Sequence, residues 1–160
     1  MANALEKGAS LPSQAALVAS RKSFWQKARN STPPATLPER SLFSKLMVHD
    51  NPGGNTLKGY GASAGKITAP ACVMRGPEDF NLMHPGDVIV AVTTTPAWTP
   101  LFAIASAVVT DIGGPLSHSS IVAREYGIPA VMATGVASKR ITNRQMITVD
   151  GSTGAVVLMN

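Results

Sequence analysis

From Leu57 to Leu158, short apolar runs alternate with turns rich in glycine, proline and small polar residues. Lys66–Met74 (KITAPACVM), Asp87–Val92 (DVIVAV), Ser106–Thr110 (SAVVT), Pro129–Met132 (PAVM), Met146–Asp150 (MITVD) and Ala155–Leu158 (AVVL) each have strand length and are rich in β-branched residues, which suit a pleated surface. The first contains Pro70, which cannot donate to a ladder, so an edge position is expected for it. DGSTG, Asp150–Gly154, reads as a hairpin joining the last two strands. Two stretches between strands read as helices: TPLFAIAS after Pro96, and HSSIVAREYG ending at Gly127, a natural C-terminal cap. Strands outnumber helices, so the pattern predicts an α/β domain, a compact sheet with a few helices packed on it.

The first third follows another pattern. SQAALVASRKSFWQKA, Ser13–Ala28, carries Leu17, Phe24 and Trp25 without breakers, and Ser13 suits the N-cap of a helix. Pro33, Pro34 and Pro38 then make an extended linker, and the apolar LFSKLMV is followed by a second breaker, DNPGGN. These breaks divide the chain into a helical extension and Pro-rich linker, 1–55, and a β-rich domain, 56–160. The extension reads equally as a docking element, as a connection to another domain, or as a tail.

Composition narrows the function classes. With aromatics at 5% of 160 residues, the core must be built from Val, Ile, Leu, Ala and Met. Cys72 is the sole cysteine, which excludes an internal disulfide framework and a multi-cysteine metal site. No apolar run approaches the roughly 18 residues of a membrane span, and the N-terminus lacks the apolar core of a signal peptide, so a cytoplasmic protein without membrane contact is expected. The net charge of +5 is uneven: residues 1–56 hold seven Lys/Arg against three acidic residues, and residues 57–160 seven against six. The basic excess lies outside the β-rich part, and no basic groove with interleaved aromatics suggests nucleic acid.

The chemistry concentrates in TDIGGPLSHSSIVAREYGIPAV, Thr110–Val131. A strand closes at Thr110, Gly113 and Gly114 supply a turn needing conformational freedom, and a helix begins near Ser117 or His118. A side chain there stands beside unpaired N–H groups that favour anions. Neutral imidazole is nucleophilic near neutral pH and forms covalent intermediates, while the hydroxyls of Ser117, Ser119 and Ser120 and the guanidinium of Arg124 lie within two helical turns. On the residues alone, His118 is either a structural cap or surface residue, or an anion-handling nucleophile. His49 and His84 lie in unrelated segments and no ligand spacing indicates a metal. Neither a dinucleotide fingerprint nor a GxxxxGK[ST] loop is present.

The same stretch resembles the phosphohistidine motif of the mobile, swivelling domain of phosphoenolpyruvate-utilising enzymes, the group that includes phosphoenolpyruvate synthase, pyruvate phosphate dikinase and rifampicin phosphotransferase. GYGASAGKITAPACVM and GDVIVAVTTTPAWTPLF resemble two further segments of that domain in the same order, so the resemblance covers about residues 57–160. It implies a β/β/α swivelling fold and a carrier component of a phosphotransferase. His118 would be the phosphoacceptor, Gly113 and Gly114 the turn that admits the donor, Thr110 the end of the preceding strand and Arg124 the helix arginine, with Ser117 and Ser119 supporting. Where some dikinases have a regulatory threonine, this chain has Leu116. The family's ATP-grasp domain and its phosphoenolpyruvate/pyruvate- or other substrate-binding domain are not among these residues, so ATP and Mg2+ are expected on a partner domain or subunit, with no cofactor bound by this chain. A non-catalytic interaction module that keeps the fold is the alternative.

Overall fold

The computed structural model describes residues 15–29 and 54–159. They belong to two separate units. The first is helix α1, Ala15–Arg29, whose residues are all exposed and which carries Lys27 and Arg29 in its last turn. Its extent follows the predicted helix closely. The expected cap Ser13, the Pro33–Pro38 linker, His49 and most of DNPGGN lie outside the described residues.

The second unit contains eight strands: β1 (Thr56–Lys58), β2 (Tyr60–Ser63), β3 (Lys66–Val73), β4 (Val88–Ala91), β5 (Ala107–Thr110), β6 (Ala130–Met132), β7 (Met146–Asp150) and β8 (Ala155–Leu158). Their order is β1-β8-β7-β3-β4-β5-β6-β2. Strands β3 to β6 run parallel, whereas β1, β8, β7 and the first half of β3 form an antiparallel group, and β2 adds antiparallel to β6. The helices are short: α2 (Thr99–Phe102), α3 (His118–Glu125) and α4 (Ala137–Arg140), with 3-10 turns at Pro77–Leu82 and Pro96–Trp98.

Alternation along the parallel strands explains the layering. Val88, Val90, Ala107, Val109 and Val131 point into a core shared with Leu57, Ile147, Val149, Val156 and α4 residue Ala137. Ile89, Ala91, Val108, Ala130 and Met132 point the other way, against Leu101 and Phe102 of α2 and Ala123 of α3. Both faces are therefore buried, which is why these strands are apolar at every position. The result is three layers: antiparallel strands, parallel strands, then helices.

All six predicted strands form, and β7 and β8 pair as the predicted hairpin. Asp150 Oδ1 accepts from the N–H groups of Ser152 and Thr153, both at 3.1 Å, and these bonds hold its carboxyl below the ordinary value. The expectation for Pro70 is corrected: β3 lies inside the sheet, between β7 and β4. It pairs with β7 over residues 66–70 and with β4 over residues 71–73, so Pro70 falls where the strand changes partner. The helix predicted over TPLFAIAS is shorter than expected, because the chain must turn at Ala103–Ala105 to enter β5. Two strands were not anticipated, β1 and β2; only Gly59 separates them, yet they occupy opposite ends of the sheet order.

Candidate phosphoryl-carrier site

The parallel strands β4 and β5 end side by side, and the loops leaving them build the site, as is usual at the carboxyl ends of parallel strands. The exit of β5 is fastened on both flanks. Asp111 and Ile112 donate backbone N–H bonds to Ala91 and Val92 (3.1 and 2.9 Å), while Thr134 and Gly135 donate to Thr110 and Asp111 (3.1 and 3.0 Å). The buried Asp111 carboxylate accepts from the hydroxyls of Thr134 and Ser138 and from the Ser138 N–H. Thr110 Oγ1 lies 2.9 Å from both the Ile112 carbonyl and Met132 sulfur. The strand end is thus a fixed base for the loop that follows.

Gly113 has φ +155°, and a Cβ there would press on Ser117 Oγ and Thr110 Oγ1, so the turn favours glycine at this position. Gly114 has ordinary φ and open space around its missing Cβ. Ser117 caps α3, accepting from the Ser120 N–H at 3.4 Å. Ser120 is buried and its hydroxyl donates to the Gly114 carbonyl at 2.7 Å, closing the loop onto the helix. Arg124 reaches back from α3, donating to the carbonyls of Pro115 (2.9 Å) and Ala62 (3.1 Å). Its guanidinium thereby joins the helix, the glycine loop and β2.

His118 is the first residue of α3 and is half-buried. Its Nδ1 lies 3.1 Å from Thr94 Oγ1, which in turn lies 2.9 Å from the hydroxyl of buried Ser119. Nε2 lies 3.5 Å from Thr99 Oγ1, whose proton goes to the Pro96 carbonyl. Phe102 meets the imidazole edge-on at 6.0 Å between ring centres. The ring is therefore oriented by the β4–α2 segment as well as by its own helix. Sequence reasoning missed Thr94, Thr99 and Phe102. Their signal was the hydroxyl-rich TTTPAWTPLF directly after a strand parallel to the one preceding the histidine.

The structure thus brings together the residues of the glycine turn and the following helix that the sequence marked as the site, whereas His84 lies at the opposite end of β4. Thr110, Gly113, Ser117, Ser119, Ser120 and Arg124 bond or pack within the frame, Gly114 lies open beside it, and His118 stands at its mouth. Among the described residues, no group of His, Cys, Asp and Glu could hold a metal ion, and no helix is long and apolar enough to cross a membrane.

Comparison with known proteins agrees with this geometry. Residues 83–154 match the family of the PEP-utilising enzyme, mobile domain. An uncharacterized phosphotransferase of Bacillus subtilis is 47% identical over 106 residues, which are 66% of this chain and 13% of that protein. The phosphoenolpyruvate synthase of Aeropyrum pernix is 45% identical over 96 residues, 60% of this chain and 11% of that protein. This chain therefore spans a small fraction of the length of these curated relatives. Among solved structures, aconitase X of Thermococcus kodakaraensis superposes on 67% of this chain and 100% of its own with a TM-score of 0.54 at 17% identity, a likeness of fold alone. The histidine-bearing loop, its buried frame and strands β4 to β7 all fall within the matched segment, and over residues 83–154 this chain is a mobile domain of the PEP-utilising enzyme family.

Proposed function

We propose that the chain is the phosphoryl carrier of a dikinase-like phosphotransferase, with His118 Nε2 taking a phosphoryl group at one site and delivering it at another. The observation that carries this reading is the one-sided anchoring of the imidazole. Nδ1 is engaged by Thr94, while the only hydroxyl of the described residues that is hydrogen-bonded to Nε2, that of Thr99, spends its proton on Pro96. We assign the neutral ring the tautomer with hydrogen on Nδ1, donating to Thr94, whose own hydroxyl donates to Ser119. That leaves the Nε2 lone pair as the nucleophile.

In the transfer, Nε2 attacks the donor phosphorus in line, the N–P bond forms, and the P–O bond to the departing oxygen breaks. The ring becomes cationic as the bond forms, and the Nδ1–H bond to Thr94 strengthens with that charge. Delivery reverses these changes at the acceptor. Thr110, Gly113, Ser117, Ser119 and Arg124 support the frame through the bonds described above, and Gly114 leaves the donor's approach open. Among the described residues, no Lys or Arg hydrogen-bonds the imidazole, and Arg124 is committed to two carbonyls. Neutralising the phosphoryl oxygens accordingly falls to the partners: an ATP-grasp nucleotide-binding module with ATP and Mg2+, and a phosphoenolpyruvate/pyruvate- or other substrate-binding module. The setting of this reading is cytoplasmic.

The test is to supply the chain in trans to Aeropyrum pernix phosphoenolpyruvate synthase with radiolabelled phosphoenolpyruvate or ATP, and to separate the two proteins by size. The expected result is one label on this chain, lost in acid, stable in base and absent from His118→Ala, which stays folded because a helix-mouth side chain contributes at most about 1–2 kcal/mol. Label that survives acid, or that persists in His118→Ala, overturns the reading.

A further inference from the structure

The surface around His118 is unusual in what it lacks. Between Val88 and Ala123 the only Asp, Glu, Lys or Arg is Asp111, and Asp111 is buried in its own hydrogen bonds. The same stretch nevertheless exposes large apolar side chains: Leu116 at 85%, Ile112 at 61%, Val92 at 45% and Ile121 at 43%. They lie together. Ile112 is hydrogen-bonded through its backbone to Val92, Leu116 is two residues before the histidine, and Ile121 donates its N–H to Ser117. Single exposed apolar residues need no explanation, but four around one candidate nucleophile mark an interaction surface.

We propose that Val92, Ile112, Leu116 and Ile121 form an apolar rim by which this chain docks onto its phosphoryl-donating protein, the occupant being an uncharged, apolar collar around that protein's donor phosphate. The inference rests on the carrier reading and adds the chemistry of the partner's surface to it. A donor phosphorus must come within about 3–3.5 Å of Nε2 to react, so the donor's surroundings come up against the loop and helix start that carry Ile112, Leu116 and His118. The charge nearest the rim, the exposed Arg124 guanidinium beside Pro115, is held by the Pro115 and Ala62 carbonyls, so the rim itself offers little to nucleic acid or an acidic groove, and charged residues pressed against its apolar side chains would lose hydration without a partner. Leu116 is the anchor, because no other large apolar side chain of the described residues is as exposed. Docking of this kind depends little on salt, unlike encounters steered by charge.

The experiment compares two donors on the full chain, wild type, Leu116→Asp and Ile104→Asp. Ile104 is also exposed but lies at the opposite ends of β4 and β5, hydrogen-bonded to Gly86. The first donor is potassium phosphoramidate, which needs no docking: Nε2 attacks its phosphorus, the P–N bond breaks and ammonia departs with a proton from solvent. The second is the Aeropyrum pernix enzyme with phosphoenolpyruvate. All three proteins should take label from phosphoramidate at equal rates. With the enzyme, Leu116→Asp should raise the KM for the carrier at least about tenfold with little change in kcat, and Ile104→Asp should match wild type. The wild-type rate should vary less than about twofold between 0.05 and 0.5 M NaCl.

Equal enzymatic rates for Leu116→Asp and wild type overturn the proposal, and so does a steep fall with salt. A parallel loss with both donors also overturns it, since Leu116 would then act on the ring or the fold. Labelling of the wild type by phosphoramidate but not by the enzyme counts against the rim as a recognition surface. Absence of label from phosphoramidate itself defeats the carrier reading instead. Self-association of the wild type that Leu116→Asp abolishes, seen by sedimentation, would assign the rim to a second copy of this chain and overturn the proposal.

Discussion

The two ends of the parallel strands β4 and β5 are made of different materials. At the amino ends, buried Asp87 accepts from Arg144 Nη1 at 2.6 Å and from the His84 N–H at 2.9 Å, with His84 Nδ1 3.5 Å away. At the carboxyl ends there are hydroxyls, an imidazole, glycines and a rim of apolar side chains. The charged end is closed: each group has its partner within the chain, and the carboxylate ties the start of β4 to the Thr142–Gln145 turn before β7. The other end leaves a nitrogen lone pair and exposed apolar surface. On the carrier reading, stability and reactivity belong to opposite ends of the same two strands, so a change at one should be readable with little disturbance of the other.

The sharpest way to break this division is Asp87→Ala. It removes the partner of Arg144 and of the His84 N–H, and should cost about 2–3 kcal/mol, below the most severe buried cases because Arg144 is half exposed and regains water. Urea denaturation measures the loss. Labelling of His118 per folded molecule should be unchanged, and a proportionate loss of labelling would mean that the two ends are coupled.

Thr94→Val makes the converse test. It removes the acceptor for Nδ1–H and leaves the buried Ser119 hydroxyl without this neighbour. Stability should fall by about 1 kcal/mol, whereas labelling should slow about tenfold as the ring loses its orientation and charge support. Thr94→Ser should restore most of the rate, with single-turnover kinetics as the readout.

The smallest effect is expected at Asp150, in the hairpin away from both strand ends. The Thr153 N–H, the largest influence, together with that of Ser152, lowers its pKa. Its contribution is therefore fully present above the ordinary carboxylate pKa of about 3.9 and is lost as pH falls through the lower folded value. Asp150→Asn should flatten the acid limb of the stability profile, its small cost present above the ordinary carboxylate pKa and vanishing at the acid end, as thermal melts across the acid range would register.

Much of the layering was legible because each parallel strand must satisfy two cores: an uninterrupted run such as Val88–Ala91 announces burial on both faces. Gly127, with φ +65°, ends α3 as the pattern implied. Pro70 misled because local chemistry reports that a ladder bond is missing, not that a strand is changing neighbours. Strands β1 and β2, three and four residues long, carry too little periodicity to be seen without the strands they pair with. At the site, His118 was legible from its glycine turn, whereas Thr94 and Thr99 sit 24 and 19 residues away in sequence and become neighbours only through the parallel pairing of β4 with β5.

The placement of β1 and β2 bears on how this domain behaves in a crowded solution. The two outermost strands of the sheet are consecutive in the chain, and where they meet, Gly59 donates to the Gly154 carbonyl while Gly61 and Gly151 approach so closely that a side chain on either would strike backbone. The sheet is drawn round until its margins are stitched by one residue, leaving only very short borders to the outside. Long unpaired borders are where β proteins nucleate aggregates with one another. A domain that has to leave one partner before reaching the next would pass through that interval without recruiting its own kind strand to strand.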